Sequence, residues 1–127
     1  MLDNQDVITA ARSIWDLYLQ ADGAIYRFGS GSLAGENLYA VAIYGDRTQQ
    51  IQEADFAVEI IAAFVQANLD LLAEPQNSVG IWLSADEGIV YLDISITVRS
   101  RRAALKLARE HKELAICHLE DLTIEYV

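Results

Sequence analysis

An α+β fold is predicted from three features of this 127-residue sequence. Apolar residues recur at helical spacing in three segments, near 4–22, 54–73 and 101–112. A strict polar/apolar alternation runs through 89–98, which is the signature of a strand with one buried face. Strands in hairpins and helices are interleaved along the chain, giving the order α-β-α-β-β-α-β-β. Such an order is expected to build an antiparallel or mixed sheet with the helices packed mainly on one face. The length fits one domain of roughly 100–150 residues, and the 53% apolar content is ample for a core. No linker divides the chain, so residues 1–127 form a single expected domain.

The first helix places Ile8, Ala11, Trp15, Tyr18 and Leu19 on one stripe, widened by Val7 and Ile14. Asp3 or Asn4 is suited to cap it, because a side-chain oxygen accepts the free amides of the first turn. Asp22-Gly23 ends it. Leu17 and Ala10 fall on the far side of the wheel, so cover on more than one face is expected, a second copy of the chain being one such cover. Residues 23–37, with Gly29, Gly31 and Gly35, read as a mobile loop or hairpin tip. They do not make a phosphate loop, since no Lys-Ser/Thr follows and the segment precedes a strand.

A strand is expected at 38–44, rich in aromatic and aliphatic residues and ended by Gly45-Asp46. The polar run 46–52 either extends it or forms a loop. In the second helix, 54–73, Phe56, Ile60, Phe64 and Val65 join Val58, Ile61, Leu69 and Leu72 in a broad apolar face. Pro75 lies beyond its end, where it disturbs no hydrogen bond. A helix this apolar must lie across a large surface, and a sheet face is the natural one. Next comes a hairpin: 79–83, a turn at 85–88, and 89–98 running back. Val90, Leu92, Ile94, Ile96 and Val98 point one way; Tyr91, Asp93, Ser95 and Thr97 point the other. A third helix at 101–112, a strand at 114–119, a turn at Glu120-Asp121 and a strand at 122–127 complete the chain. The unit 89–119 has the form of a right-handed crossover between parallel strands.

The stretches Val79-Gly80-Ile81-Trp82, Val90-Tyr91-Leu92-Asp93-Ile94-Ser95, Arg102-Ala103-Ala104 and Ala115-Ile116 resemble a pattern in small uncharacterised bacterial and phage-type proteins. The resemblance spans about residues 79–119. It implies the same sheet-and-helix arrangement and brings no activity, cofactor or site residue with it.

Charge is segregated. Arg99, Arg101, Arg102, Lys106, Arg109 and Lys112 stand beside one acid, Glu110, so residues 99–112 carry +5 within a chain of net charge −10. On a helical wheel Arg102, Lys106 and Arg109 share one stripe, with Ala104, Leu107, Ala108 and His111 opposite. The bland account is a solvated helix face. The functional account is a ridge that docks an acidic protein partner, a phosphate group or another copy of this chain. Direct nucleic-acid binding is disfavoured because the acidic remainder repels phosphates at long range. The leading expectation is therefore a non-enzymatic macromolecular interaction protein, with a homo-oligomer as one form of the interaction. A phage-type anti-defence or nucleic-acid-mimicking inhibitor is the alternative that uses the acids, although these are dispersed.

Chemistry has few footholds. His111, Cys117 and His118 are ligand types, but in a strand Cys117 and His118 point to opposite faces, so no metal and no cofactor is expected. No G-x-S-x-G elbow occurs and Cys117 lacks a neighbouring base, so no catalytic residue is assigned. The candidate pocket is the face bearing Tyr91, Asp93 and Ser95. Asp93 reads first as a sheet-surface charge. If that face lines a groove between the sheet and the 54–73 helix, a desolvated Asp93 would titrate high and serve a small enzyme or a ligand binder. One cysteine, an acidic start (Met1-Leu2-Asp3-Asn4-Gln5-Asp6) and the lack of any 20-residue apolar run lead to the expectation of a cytoplasmic protein without a membrane span.

Overall fold

The structure, a computed structural model, describes residues 2–127. Helix α1 (Asn4–Ala21) opens on a capping box: Asp3 accepts from the Asp6 amide at 2.9 Å, and Asp6 accepts from the Asp3 amide at 2.8 Å. It ends at Asp22 in the left-handed region, whose amide donates to the Tyr18 carbonyl. Its inward face is Val7, Ala10, Ala11, Ile14 and Tyr18, whereas Ile8 and Leu19 are 42% and 61% exposed. The predicted stripe is thus rotated toward Ala10. Two alanines on the buried face let the backbone approach its neighbours more closely than the bulkier Ile8/Leu19 face would.

The chain turns directly into β1 (Gly23–Arg27) and the two-residue β2 (Gly31–Ser32). Positive φ at Gly29 and Gly31 makes that turn. The expected mobile segment therefore begins as an ordered strand, because Gly23–Tyr26 pairs with the long hairpin strand Val79–Trp82. Strand β3 (Tyr39–Val41) is shorter than the predicted 38–44. A 3-10 turn at Gly45–Arg47 separates it from β4 (Gln49–Gln52), so the polar run forms both a turn and a strand.

After a second 3-10 turn, Glu53–Asp55, the predicted long helix appears as α2 (Val58–Ala67) and α3 (Leu69–Leu72). Asn68 breaks it. This residue is 3% exposed; its Nδ2 donates to the Phe64 carbonyl, and its Oδ1 accepts from Arg47 Nη1, each at 2.8 Å. Arg47 also spans to Asp70 at 2.9 Å, so the break is tied to the turn before β4. Asn68→Ala would leave the Phe64 carbonyl without this buried hydrogen bond and Arg47 hydrogen-bonded to Asp70 alone, and is expected to cost about 1–3 kcal/mol. Urea denaturation checks this, and a loss below about 0.5 kcal/mol, as at an ordinary surface site, would refute the bracing role.

Strands β5 (Asn77–Ser84) and β6 (Ile89–Val98) form the predicted hairpin, with Gly88 at positive φ in its turn. Helix α4 (Arg101–Glu110) starts on Ser100, whose Oγ accepts from the Ala103 amide. Strands β7 (Ala115–His118) and β8 (Thr123–Tyr126) follow. The order is β2-β1-β5-β6-β3-β7-β8, with β4 also on β6, and every neighbouring pair is antiparallel. Strand β6 shares one edge between two partners, β4 opposite 89–92 and β3 opposite 96–98. The crossover β6–α4–β7 does join strands of like direction, but β3 lies between them.

The α+β class, the succession of elements and the one-sided helix packing are as predicted. The sheet itself curls into a half-barrel. On its outer face Val79, Ile81, Val90, Leu92 and Ile94 pack under α1 and α2, with Phe64, Ile61 and Val65 from above. Further along the same face Val41 and Ile116 meet Ala104, Leu105 and Ala108 of α4. Leu105 thus faces inward, and His111, predicted to do so, is exposed, because the buried set 104, 105, 108 centres the wheel one residue from the predicted face. Among the described residues no helix is long and apolar enough to cross a membrane.

Candidate functional site

The inner face of the half-barrel carries no helix. Strand alternation places Gly23 and Ile25, Gly80 and Trp82, Tyr91 and Asp93, Ala40 and Ala42, Ala115 and Cys117, and Ile124 and Tyr126 on it. These side chains enclose a cavity of about 470 Å³, within the roughly 300–1,000 Å³ of ligand pockets. Space is left there because inward wall positions such as Gly23, Ala40, Ala42, Gly80 and Ala115 carry little or no side chain. One end is plugged by Ile25, Leu33, Ala40 and Leu119, packed together. The other end is rimmed by Leu114 and Tyr126, 80% and 70% exposed.

Register builds the floor. The hairpin sets Trp82 opposite Tyr91, and their rings stack with centroids 4.6 Å apart and planes 12° from parallel. The next inward pair is Gly80 opposite Asp93. A Cβ at Gly80 would run into Asp93 Oδ1 and come within 3.2 Å of Ser95 Oγ, so the glycine is the slot in which the carboxyl lies. Ser95 Oγ donates to Asp93 Oδ1 at 2.7 Å. It is the one protein partner of this carboxyl among the described residues, and Oδ2 is left to the cavity.

The predicted surface charge at Asp93 is corrected here. Asp93 keeps some accessible area only because it borders the cavity; protein surrounds it, and burial pushes its pKa up to about 7. The Ser95 hydrogen bond opposes this rise, and the charge of Glu113 adds to it. Sequence alternation shows two faces but not that the second is roofed by the curl of the sheet. The groove also lies on the face opposite α1 and α2, not between the sheet and the second helix, because the apolar face of that helix is spent on Val79, Leu92 and their neighbours.

Three further groups set the electrostatics. Glu113, at the end of the α4–β7 connection, lines the cavity and titrates high through burial. Glu87 at the rim accepts the Tyr91 hydroxyl at 2.8 Å, which raises the Tyr91 pKa. Burial, reinforced by Asp93 and Asp121, holds the Cys117 thiol up at about 12, so it stays protonated and is a poor nucleophile. Among the described residues no Lys, Arg or His lines the cavity.

Tyr91, Asp93 and Ser95 are therefore brought together in one site, with Trp82, Gly80, Gln50 and Glu113 as members that sequence reasoning missed. Trp82 was within reach: the turn at 85–88 fixes the hairpin register and sets it opposite Tyr91. The basic residues lie elsewhere, on or beside α4 on the outer side. Arg101 is engaged by Glu125 through Nε at 3.0 Å and through Nη2, and His118 Nε2 reaches the same carboxylate at 2.7 Å. These two partners hold Glu125 down at about 2. Lys106 lies 3.9 Å from Glu110. Arg99, Arg102, Arg109 and Lys112 are exposed and make no ion pair among the described residues. Cys117 and His118 do point to opposite faces, one into the cavity and the other toward Tyr39. Comparison of the chain with protein families, curated proteins and solved structures finds no match in any of the three.

Proposed function

We propose that this chain is a small-molecule-binding protein, and that its ligand occupies the inner cavity against Trp82 and Tyr91. The observation that carries this reading is a carboxyl, Asp93, enclosed by protein at the floor of a largely apolar cavity of about 470 Å³ and open only to that cavity. Burying an acid that has a single hydroxyl partner is unfavourable. Groups held in that condition inside a concave pocket concentrate at functional sites. Binding is favoured over turnover, because the cavity offers no activated nucleophile: Cys117 stays a thiol and no imidazole is present. Asp93 itself titrates where a general acid or base works best, so proton transfer to a bound molecule is the enzymatic form of the same reading.

Ligand-observed NMR with a library of small neutral and charged aromatic compounds tests the proposal. Ala42→Leu, at the cavity wall, is expected to weaken hits by about tenfold or more while the fold survives. Hits that bind Ala42→Leu and Trp82→Ala as well as wild type would place binding elsewhere and overturn it.

A second reading keeps the basic ridge as a docking surface for an acidic protein partner or another copy of the chain. It is supported by the unpaired charges of Arg102 and Arg109, whereas Arg101 is already engaged. A partner retained from lysate at low salt, lost at high salt and lost with Arg102→Glu/Arg109→Glu would establish it. Retention unchanged by both would remove the ridge.

A further inference from the structure

We propose that the inner cavity selects a flat organic cation, such as an amidine, a guanidine or a protonated nitrogen heterocycle, laid on the Trp82/Tyr91 pair with its N–H groups on Asp93. This rests on the reading of the cavity as a ligand site and adds the chemical class. Among the described residues, three carboxyl groups, Glu87, Asp93 and Glu113, meet the cavity, and not one cationic side chain does. An anion would enter a desolvated field of its own sign. A neutral donor would give Asp93 Oδ2 an ordinary hydrogen bond but would not offset its charge. A cationic N–H donor supplies the partner that Oδ2 lacks and forms the stronger, charge-assisted bond.

The layout suits a planar body with a charged end. Tyr91 and Asp93 are two residues apart on one face of β6, hence about 6–7 Å apart along the strand. That is the span of an aromatic ring and its substituent. The stacked indole and phenol attract a cation electrostatically as well as burying its flat surface. Inorganic cations fit less well, since no group of three His, Cys, Asp or Glu side chains able to hold a metal ion occurs among the described residues.

Arg27 on β1 faces the same side of the sheet as Asp93, but its Nη2 donates to Thr97 Oγ1 at 2.9 Å and it does not line the cavity. Strand β1 presents Gly23 and Ile25 and strand β3 presents Ala40 and Ala42; β4 presents Gln50, and β7 presents Ala115 and Cys117. Glu113 and Glu87 are the remaining acids, Tyr91 and Tyr126 are the phenols, and His111 acts only from outside through Glu113. Cation binding should therefore strengthen as Asp93 ionises.

Three isosteric probes test this by calorimetry: benzamidine, benzamide and benzoate. At pH 8 benzamidine is expected to bind at least about tenfold tighter than benzamide, and benzoate weakest. Because benzamidine stays charged while Asp93 titrates near 7, its affinity should fall on the order of tenfold from pH 8 to pH 6. Asp93→Asn should weaken benzamidine at pH 8 by about tenfold or more and remove most of its pH dependence. If benzamide or benzoate matches benzamidine, and Ala42→Leu weakens them all, the cation class fails and the cavity reading stands. Binding of none of the three at millimolar concentration would overturn both.

Discussion

Asp93→Asn is expected to stabilise the protein at pH 8, by up to about 4 kcal/mol. The folded-state pKa of about 7 lies some three units above the ordinary 3.8, and each unit corresponds to about 1.4 kcal/mol. A carboxyl whose pKa rises on folding binds more protons in the native state than in the unfolded one. Stability then falls as pH climbs from about 4 to about 7, and is level above that. Glu113, also raised by burial, acts in the same direction. The lowered acids work outside this window: the contribution of Glu125 is lost only as pH falls below 4.5 toward 2. Urea denaturation at pH 5 and pH 8 should show the wild type weaker at pH 8, and Asp93→Asn with a clearly smaller loss, the remainder being that of Glu113. A wild type that gains stability over that interval, with the variant in parallel, would show that Asp93 is solvated. A fold that keeps a destabilising acid at the floor of its cavity is holding it for something other than folding.

Phe64→Ala is expected to cost about 3–5 kcal/mol. The ring is 1% exposed, in the layer where α1 and α2 meet the outer face of the sheet. Packing is continuous there, so a lost ring leaves a void that its neighbours cannot fill. Trp82→Ala removes a larger ring from the inner face, but one already bordering open space, and should cost clearly less while weakening ligand binding. Equilibrium denaturation of the two variants side by side measures the contrast. A Trp82→Ala penalty equal to or above that of Phe64→Ala would mean that the inner face is core.

The division between the two faces was half legible in the sequence. The alternation from Val90 to Val98 identifies β6 and assigns Tyr91, Asp93 and Ser95 to a common side. Periodicity is local, however, and that side becomes a cavity only when β1, β3, β7 and β8 curve around it. The curl depends on pairings between residues as distant as Ala24 with Ile81 and Ala40 with Cys117. Strand β1 was hidden for a related reason, since Gly-Ala-Ile-Tyr-Arg beside a glycine-rich turn has little strand character until a long partner claims it. A trace was nonetheless present: Gly80, Ala40, Ala42 and Ala115 put small residues at inward strand positions where a filled core would call for bulk. The break at Asn68 had no local signal, because its cause is Arg47, twenty-one residues earlier. The ridge on α4 was visible in outline, but the capture of Arg101 by Glu125 requires a strand that returns from the far side of the chain.

The walls of the cavity come from both extremities of the sequence, Gly23 on one side and Tyr126 on the other. The β5–β6 hairpin alone carries the floor, Trp82, Tyr91 and Asp93, while the complete site also needs the strands on either side of it. Its assembly requires non-local strand pairing, the slow part of folding a chain of this topology. The cavity is thus walled on all sides only once β8 is in place. Once the sheet has closed, occupancy ties the first strands to the last, and hydrogen exchange at β1 and β8 should slow together on binding.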